Sequence, residues 1–106
     1  MKIHRATEVV DNLNNREQTV AFLVQEVSTL TGDPAANFSE ATRLIGRDAV
    51  LNSLNLVELL LDLEEFCEDT LHVHFDWASD SAMSEYRSIF RTIGSVADHV
   101  AGLSVF

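Results

Sequence analysis

The sequence predicts an all-α protein: a small bundle of three principal helices with a short additional helix and a long first loop. Three segments repeat apolar residues at three- and four-residue steps, the spacing of one helix face. The 106 residues include one proline and four glycines, so few positions force a turn and a many-stranded sheet is disfavoured. Only residues 70–77 alternate apolar and polar side chains in the way a strand does.

The first principal helix is predicted in residues 14–32. Asn15 is its expected N-cap, with Gln18 as the capping-box partner, and Gly32 should end it. Its apolar stripe consists of Val20, Leu23, Val24, Val27 and Leu30. An earlier start remains open, because a second helical stripe is formed by Ile3, Ala6, Val10 and Leu13.

Residues 33–52 form a long connection without a sustained period. Loops of this length usually have a function or carry a short helix of their own. We expect its scattered apolar side chains to hold it across the bundle; they are Phe38, Leu44, Ile45, Val50 and Leu51.

The second principal helix is predicted from about Ser53 to about Glu68, with three distinct faces. The broad apolar face contains Leu56, Leu59, Leu60, Leu63 and Phe66. A narrower apolar strip contains Leu54, Val57 and Leu61. The third face is acidic and contains Glu58, Asp62, Glu65 and Asp69. Like charges at this spacing repel each other, so we favour a docking face over a merely solvated one.

The remaining elements are short. Residues 70–77 should be extended, with Leu71, Val73, Phe75 and Trp77 on one side. A short helix is expected around residues 78–84, and much of the aromatic-rich stretch 75–90 should add to the core. In the last helix, Thr92 is placed to cap an apolar face of Ile93, Val96, Ala97, Val100 and Leu103.

The charge is strongly negative. Seventeen acids face seven Lys and Arg, a formal net charge of −10, so nucleic-acid binding is disfavoured. From Asp48 to Asp80, both included, there are nine acids and no Lys or Arg. Such a surface attracts basic protein surfaces, although acidity could also serve solubility alone.

The compartment is predicted from three features. The single cysteine, Cys67, excludes an intrachain disulfide. The first residues contain no continuous apolar run typical of a signal peptide, and no stretch approaches the roughly 20 apolar residues that span a membrane. We therefore expect a cytoplasmic protein without membrane insertion.

One segment resembles a known family. The stretch VLNSLNLVELLLDLEEF, residues 50–66, is similar to the second-helix region of acyl carrier proteins, which typically have Asp-Ser-Leu followed by an apolar, acid-rich run. Asn52, Ser53 and Leu54 match that motif with one change, and FRTIGSVADHV resembles the family's capped last helix. The resemblance covers about residues 14–103, which implies a single acyl-carrier-like domain in 1–106 with an extension at about 1–13.

The resemblance implies a specific chemistry. Ser53 would carry 4′-phosphopantetheine, transferred from coenzyme A by a phosphopantetheinyl transferase, and the arm's thiol would hold acyl groups in fatty-acid, polyketide or related metabolism. Basic patches on the transferase and on acyl-handling enzymes would dock on Val57, Glu58, Asp62, Glu64 and Glu65. The chain would be a monomer and a substrate for enzymes, not an enzyme itself.

The position of Ser53 favours an anion independently of the resemblance. The first turn of a helix presents free backbone N–H groups and about half a positive charge. The alternative is that Ser53 only helps to cap the helix.

Asn52 departs from the family pattern. Asn caps a helix as well as Asp does, but the negative charge is lost. Two functions therefore stay open: a carrier with a narrower set of partners, and an acidic helical interaction module without a prosthetic group.

Metal and catalytic sites are disfavoured. Cys67, His72 and His74 match no structural zinc spacing, so we expect a buried cysteine and two solvent-facing histidines. A weak calcium-loop pattern at Asp76, Asp80 and Ser84 lacks the required glycine.

Overall fold

A computed structural model describes residues 15–77 and 84–103 of the chain. These residues form four α-helices: α1 (Asn15–Thr31), α2 (Ser53–Phe66), α3 (Tyr86–Ile89) and α4 (Ile93–Ala101). A 3₁₀ turn lies at Ala35–Asn37 and a π-helical turn at Cys67–Leu71. Within the described ranges no β-strand forms, so the predicted small all-α bundle is confirmed.

Helix α1 buries the predicted apolar stripe, but the line of its most buried residues also includes Thr19, which was not predicted to face the core. Its most buried residues are Thr19, Leu23 and Val27, and Val20, Val24 and Leu30 lie half-buried at the edges. Thr19 is tolerated there because its hydroxyl donates to the Asn15 carbonyl at 2.8 Å. Asn15 lies within the helix rather than ahead of it as its predicted cap. The possible earlier start falls outside the described residues.

The ends of α1 and α2 follow the sequence signals closely. Gly32 adopts a left-handed φ of +82° and its N–H donates to the Ser28 carbonyl at 2.9 Å, as expected after a helix. Helix α2 becomes a π-helical turn two residues before its predicted end, and His72, with φ +58°, terminates that turn. The C-terminal end of α2 is joined to α1 by stacking of Phe66 on Phe22, with ring centroids 4.3 Å apart.

The core lies between α1, α2, α4 and the segment after the π-helical turn. Helix α1 packs most extensively against α4. The predicted broad face of α2 is confirmed, because Leu59, Leu60 and Leu63 are buried. The largest fully buried side chains are Phe75, Phe90, Leu23, Leu44, Leu59, Leu63 and Ile93.

Residues 70–77 show the predicted alternation of burial, but the extended segment is shorter than predicted, because Thr70 and Leu71 belong to the π-helical turn and His72 is left-handed. Leu71, Val73 and Phe75 are buried, whereas His72 and His74 are exposed. The aromatic-rich stretch adds to the core as predicted, since Phe75 meets Phe90 edge-on at 6.1 Å. The short helix expected around residues 78–84 falls largely outside the described residues, and α3 begins just after it.

Helix α4 starts with the predicted cap. The Thr92 hydroxyl accepts from the Ser95 N–H at 3.0 Å, and the Ser95 hydroxyl accepts from the Thr92 N–H at 2.9 Å. This reciprocal capping box satisfies two donors that a helix start leaves free. Its buried face contains Ile93, Val96, Ala97 and Val100 as predicted, but the helix ends at Ala101, so Leu103 lies beyond it and is half-buried.

The long loop is fixed to the start of α4. Residues Arg43 and Thr92 form an isolated antiparallel bridge. Three backbone hydrogen bonds connect the two segments: Leu44 N–H to Arg91 O at 2.9 Å, Ile93 N–H to Thr42 O at 3.1 Å and Gly94 N–H to Glu40 O at 2.8 Å. Leu44 and Leu51 are buried and Phe38 and Ile45 are half-buried, so the predicted anchoring is confirmed, except that Val50 is 38% exposed.

Arg16 adds an ionic connection among three elements. From α1 its guanidinium contacts Glu40 of the long loop at 2.7 Å and Asp98 of α4 at 2.5 Å. The hydrogen bond from Arg16 lowers the pKa of Glu40, and both carboxylates raise the pKa of Arg16. Because these side chains face solvent, the two ion pairs add little to the stability of the fold. Their main effect is to orient α1, the long loop and α4 relative to one another.

No helix in residues 15–77 or 84–103 combines the length and the apolar character needed to cross a membrane.

Removing the cap of α4 should destabilise the fold. We expect Thr92→Ala to lower the free energy of unfolding by about 1 kcal/mol, because the Ser95 N–H loses its partner. Urea denaturation followed by circular dichroism measures the change. Thr92→Ser should retain most of the stability, and equal losses in both variants would contradict a capping role.

Candidate functional site

Ser53 is the first residue of α2 and is exposed. Asn52, not Ser53, caps the helix: its side-chain oxygen accepts from the Asn55 N–H at 2.7 Å. The Ser53 hydroxyl has no hydrogen-bond partner among residues 15–77 and 84–103. The alternative in which Ser53 helps to cap the helix is therefore wrong.

A groove of about 430 Å³ lies beside Ser53. Its walls come from three elements that are distant in sequence: the long loop, the start of α2 and α3. The lining residues are Leu44, Ile45, Gly46, Ala49, Leu51, Asn52, Ser53, Leu56 and Tyr86. The lining combines apolar side chains with the polar groups of Asn52, Ser53 and Tyr86, so the groove offers both kinds of surface next to the serine.

The electrostatics at the start of α2 favour a negative group. The first turn of the helix contains no acidic residue, since Asn52 and Asn55 are neutral. The positive end of the helix dipole and its free N–H groups are thus not neutralised by a carboxylate there. An anion attached to Ser53 would meet these groups without repulsion from the first turn.

An apolar strip runs along the exposed side of α2. Leu54, Val57 and Leu61 are 75%, 46% and 52% exposed, and their spacing places them on one line of the helix. The narrow strip predicted from the sequence is therefore present and uncovered by the described residues. Exposed apolar surface of this kind, rimmed by polar residues, is typical of an interaction site.

Acidic side chains lie on both sides of the strip. Glu58, Asp62 and Glu65 follow one another along one side, with Glu58 and Glu65 exposed. By helical spacing Glu64 lies on the other side, where it accepts a hydrogen bond from Trp77 Nε1 at 3.2 Å. The structure therefore brings together the predicted docking residues Val57, Glu58, Asp62 and Glu65 and separates Glu64 from the other acids.

Sequence reasoning missed a further acid, Glu26 of α1. Partial burial, then a hydrogen bond with Asp62 and the charges of Asp62 and Glu58, raise the pKa of Glu26 to about 7. The acidic surface therefore extends from α2 onto α1. The sequence of α1 alone gives no indication of this, because Glu26 comes close to Asp62 and Glu58 only when α1 packs on α2.

The cysteine and histidines lie as predicted. Cys67 is buried, and burial raises the pKa of its thiol to about 12. His72 and His74 are exposed, and His74 Nδ1 lies 3.4 Å from Glu68. Within the part of the chain that the structure describes, no group of His, Cys, Asp and Glu is arranged to hold a metal ion.

Comparison with known proteins identifies no relative of this chain. No family model matches the sequence, and no curated protein or solved structure is similar to it. The resemblance of residues 50–66 to acyl carrier proteins therefore stays a prediction from the residues themselves.

The carboxyl group of Glu26 should make stability depend on pH. The folded chain holds this proton more tightly than the unfolded chain, so stability falls as the pH rises from about 4.5 towards about 7. Glu26→Gln cannot ionise. We expect its Tm to exceed that of the wild type by roughly 2–4 °C at pH 8, a small effect because the site is partly solvated.

The difference should disappear at pH 5, where Glu26 of the wild type is largely protonated. Thermal unfolding at both pH values measures it. Glu17→Gln, an exposed change on the same helix, is the control. The same Tm difference at pH 5 and pH 8 would contradict this origin.

Proposed function

We propose that the protein is an acyl carrier that holds acyl groups as thioesters on a 4′-phosphopantetheine arm attached to Ser53. One observation carries the proposal: an exposed serine whose hydroxyl has no hydrogen-bond partner among the described residues begins α2 beside a groove of about 430 Å³. The family resemblance of residues 50–66 supplies the chemistry. The thiol at the end of the arm would form the thioester, and the protein would serve other enzymes without being one.

The residues around Ser53 fit the arm. A phosphodiester on the serine oxygen would lie at the positive end of α2, with no acid in the first turn. The apolar side chains of Leu51 and Leu56 would contact the attached chain in the groove. Their role is to keep an apolar cargo out of water between partners.

The exposed strip of α2 supports docking to partners. Leu54, Val57 and Leu61 offer apolar contact, and Glu58 and Glu65 border them with negative charge. A partner with an apolar patch ringed by Lys or Arg would match both features. The phosphopantetheinyl transferase and acyl-handling enzymes are the partners that the proposal requires.

The same strip also supports the alternative, an interaction module without a prosthetic group. Its apolar and acidic residues would bind a basic partner whether or not Ser53 is modified. Asn52 is consistent with this alternative, because the acid that usually precedes the serine in acyl carrier proteins is absent. Modification of Ser53 separates the two functions.

Covalent loading of Ser53 is the decisive test. After incubation with coenzyme A, magnesium and a broad-specificity phosphopantetheinyl transferase, the intact mass should increase by one phosphopantetheine. Ser53→Ala should show no increase. Because Ser53 makes no hydrogen bond among the described residues, this variant should keep the wild-type fold.

The Asn52→Asp variant tests whether the missing negative charge next to Ser53 affects loading. Aspartate caps a helix as well as asparagine does, so its fold should be intact while the missing charge is restored. We expect faster loading than in the wild type. No loading of either protein would contradict the carrier and favour the interaction module.

Docking on α2 should depend on charge and salt. The double variant Glu58→Gln/Glu65→Gln should lower the rate of loading several-fold at low ionic strength, because these acids attract the basic partner. The effect should shrink at high salt, where exposed charges are screened. Glu17→Gln/Asp33→Asn removes the same charge away from the strip. An equal loss in this control would contradict docking on α2.

A further inference from the structure

A second cleft, of about 390 Å³, contains a concentration of positive charge. Arg43 of the long loop, Arg87 of α3 and Arg91 just before α4 line it. The remaining lining residues are Ile45, Gly46 and Tyr86. These last three also line the groove at Ser53, so the two cavities share one wall.

The three arginines are unneutralised. The described parts of the chain contain no ion pair to Arg43, Arg87 or Arg91, although the sequence has seventeen acids. Arg16, by contrast, has two carboxylate partners. Placing like charges around one cleft is unfavourable without a counter-charge, and a bound anion would supply it.

The fold positions the arginines. The antiparallel bridge between Arg43 and Thr92 and the Leu44 N–H bond to the Arg91 carbonyl hold two of them on adjacent backbone segments. Arg43 Nη2 lies 3.5 Å from the place where a Cβ on Gly46 would stand. The guanidinium of Arg43 therefore lies beside Gly46, which also lines the cleft.

We propose that this cleft binds a small organic anion, a carboxylate or phosphate group joined to an apolar body. Guanidinium groups pair with both anions through two parallel hydrogen bonds. Ile45 and the ring of Tyr86 provide apolar walls for the rest of the ligand. A concave site of this volume suits a small molecule better than a protein surface.

The site does not need a modified Ser53. Its three charged residues belong to the long loop, α3 and the segment just before α4, and none is in α2. Through the shared wall, a longer ligand could pass from the arginines towards Ser53. The anion site can therefore be tested on the unmodified chain, separately from the carrier function.

The test is an NMR titration of the ¹⁵N-labelled, unmodified protein with five probes: hexanoate, hexyl phosphate, hexanol, inorganic phosphate and a poly-glutamate peptide. We expect hexanoate or hexyl phosphate to shift the Gly46 amide and the Nε–H signals of the three arginines. Comparing these two identifies the preferred anion. Arg43→Gln/Arg91→Gln should weaken the tighter binding at least tenfold.

Arg47→Gln is the matched control, because it lies in the same loop, is exposed and does not line the cleft. It should change the affinity less than twofold. Equal binding of hexanol, or equal weakening by Arg47→Gln and by Arg43→Gln/Arg91→Gln, would overturn the proposal. Tighter binding of a poly-glutamate peptide than of either organic anion would also overturn it and indicate an acidic protein partner.

Discussion

The attachment of the long loop to the first turn of α4 is the constraint on which both cavities depend. The N–H groups of Ile93 and Gly94 are among those that a helix start leaves without intrahelical partners, and carbonyls of the loop accept from them. Gly94 permits this approach, because a Cβ there would stand 3.1 Å from the Glu40 carbonyl oxygen. Once the loop is fixed, Leu44 enters the core and Ile45 reaches both cavities. Local pairing of a few backbone groups thus shapes the surface around Ser53.

Charge is divided between two regions of the surface. The acids of α2 and Glu26 of α1 gather where these two helices meet, and the unpaired arginines gather where the loop meets α3 and the start of α4. Each of these groups of like charges is held together against electrostatic repulsion. The two regions offer opposite electrostatic complementarity: one to basic protein surfaces, the other to small anions.

The sequence predicts the elements whose signals are local. The cap at Thr92, the stop at Gly32 and the buried face of α2 each depend on residues a few positions apart, and all are present. Features assembled from distant segments were not predictable in this way. The groove at Ser53, the cluster of arginines and the raised pKa of Glu26 exist only after the helices and the loop have packed. At the start of α2, Asn52 rather than Ser53 is the cap, because its backbone is extended while that of Ser53 is already helical.

The burial of Cys67 has a practical consequence for the chemistry of the whole molecule. It is the single cysteine of the sequence, it is fully buried, and its thiol stays protonated because burial raises its pKa to about 12. Thiolate, not thiol, reacts with alkylating reagents and disulfides. The cysteine of the folded chain should therefore react very slowly with such reagents at neutral pH. A thiol attached to the surface would react much faster than Cys67, so it could be labelled, cross-linked or captured selectively.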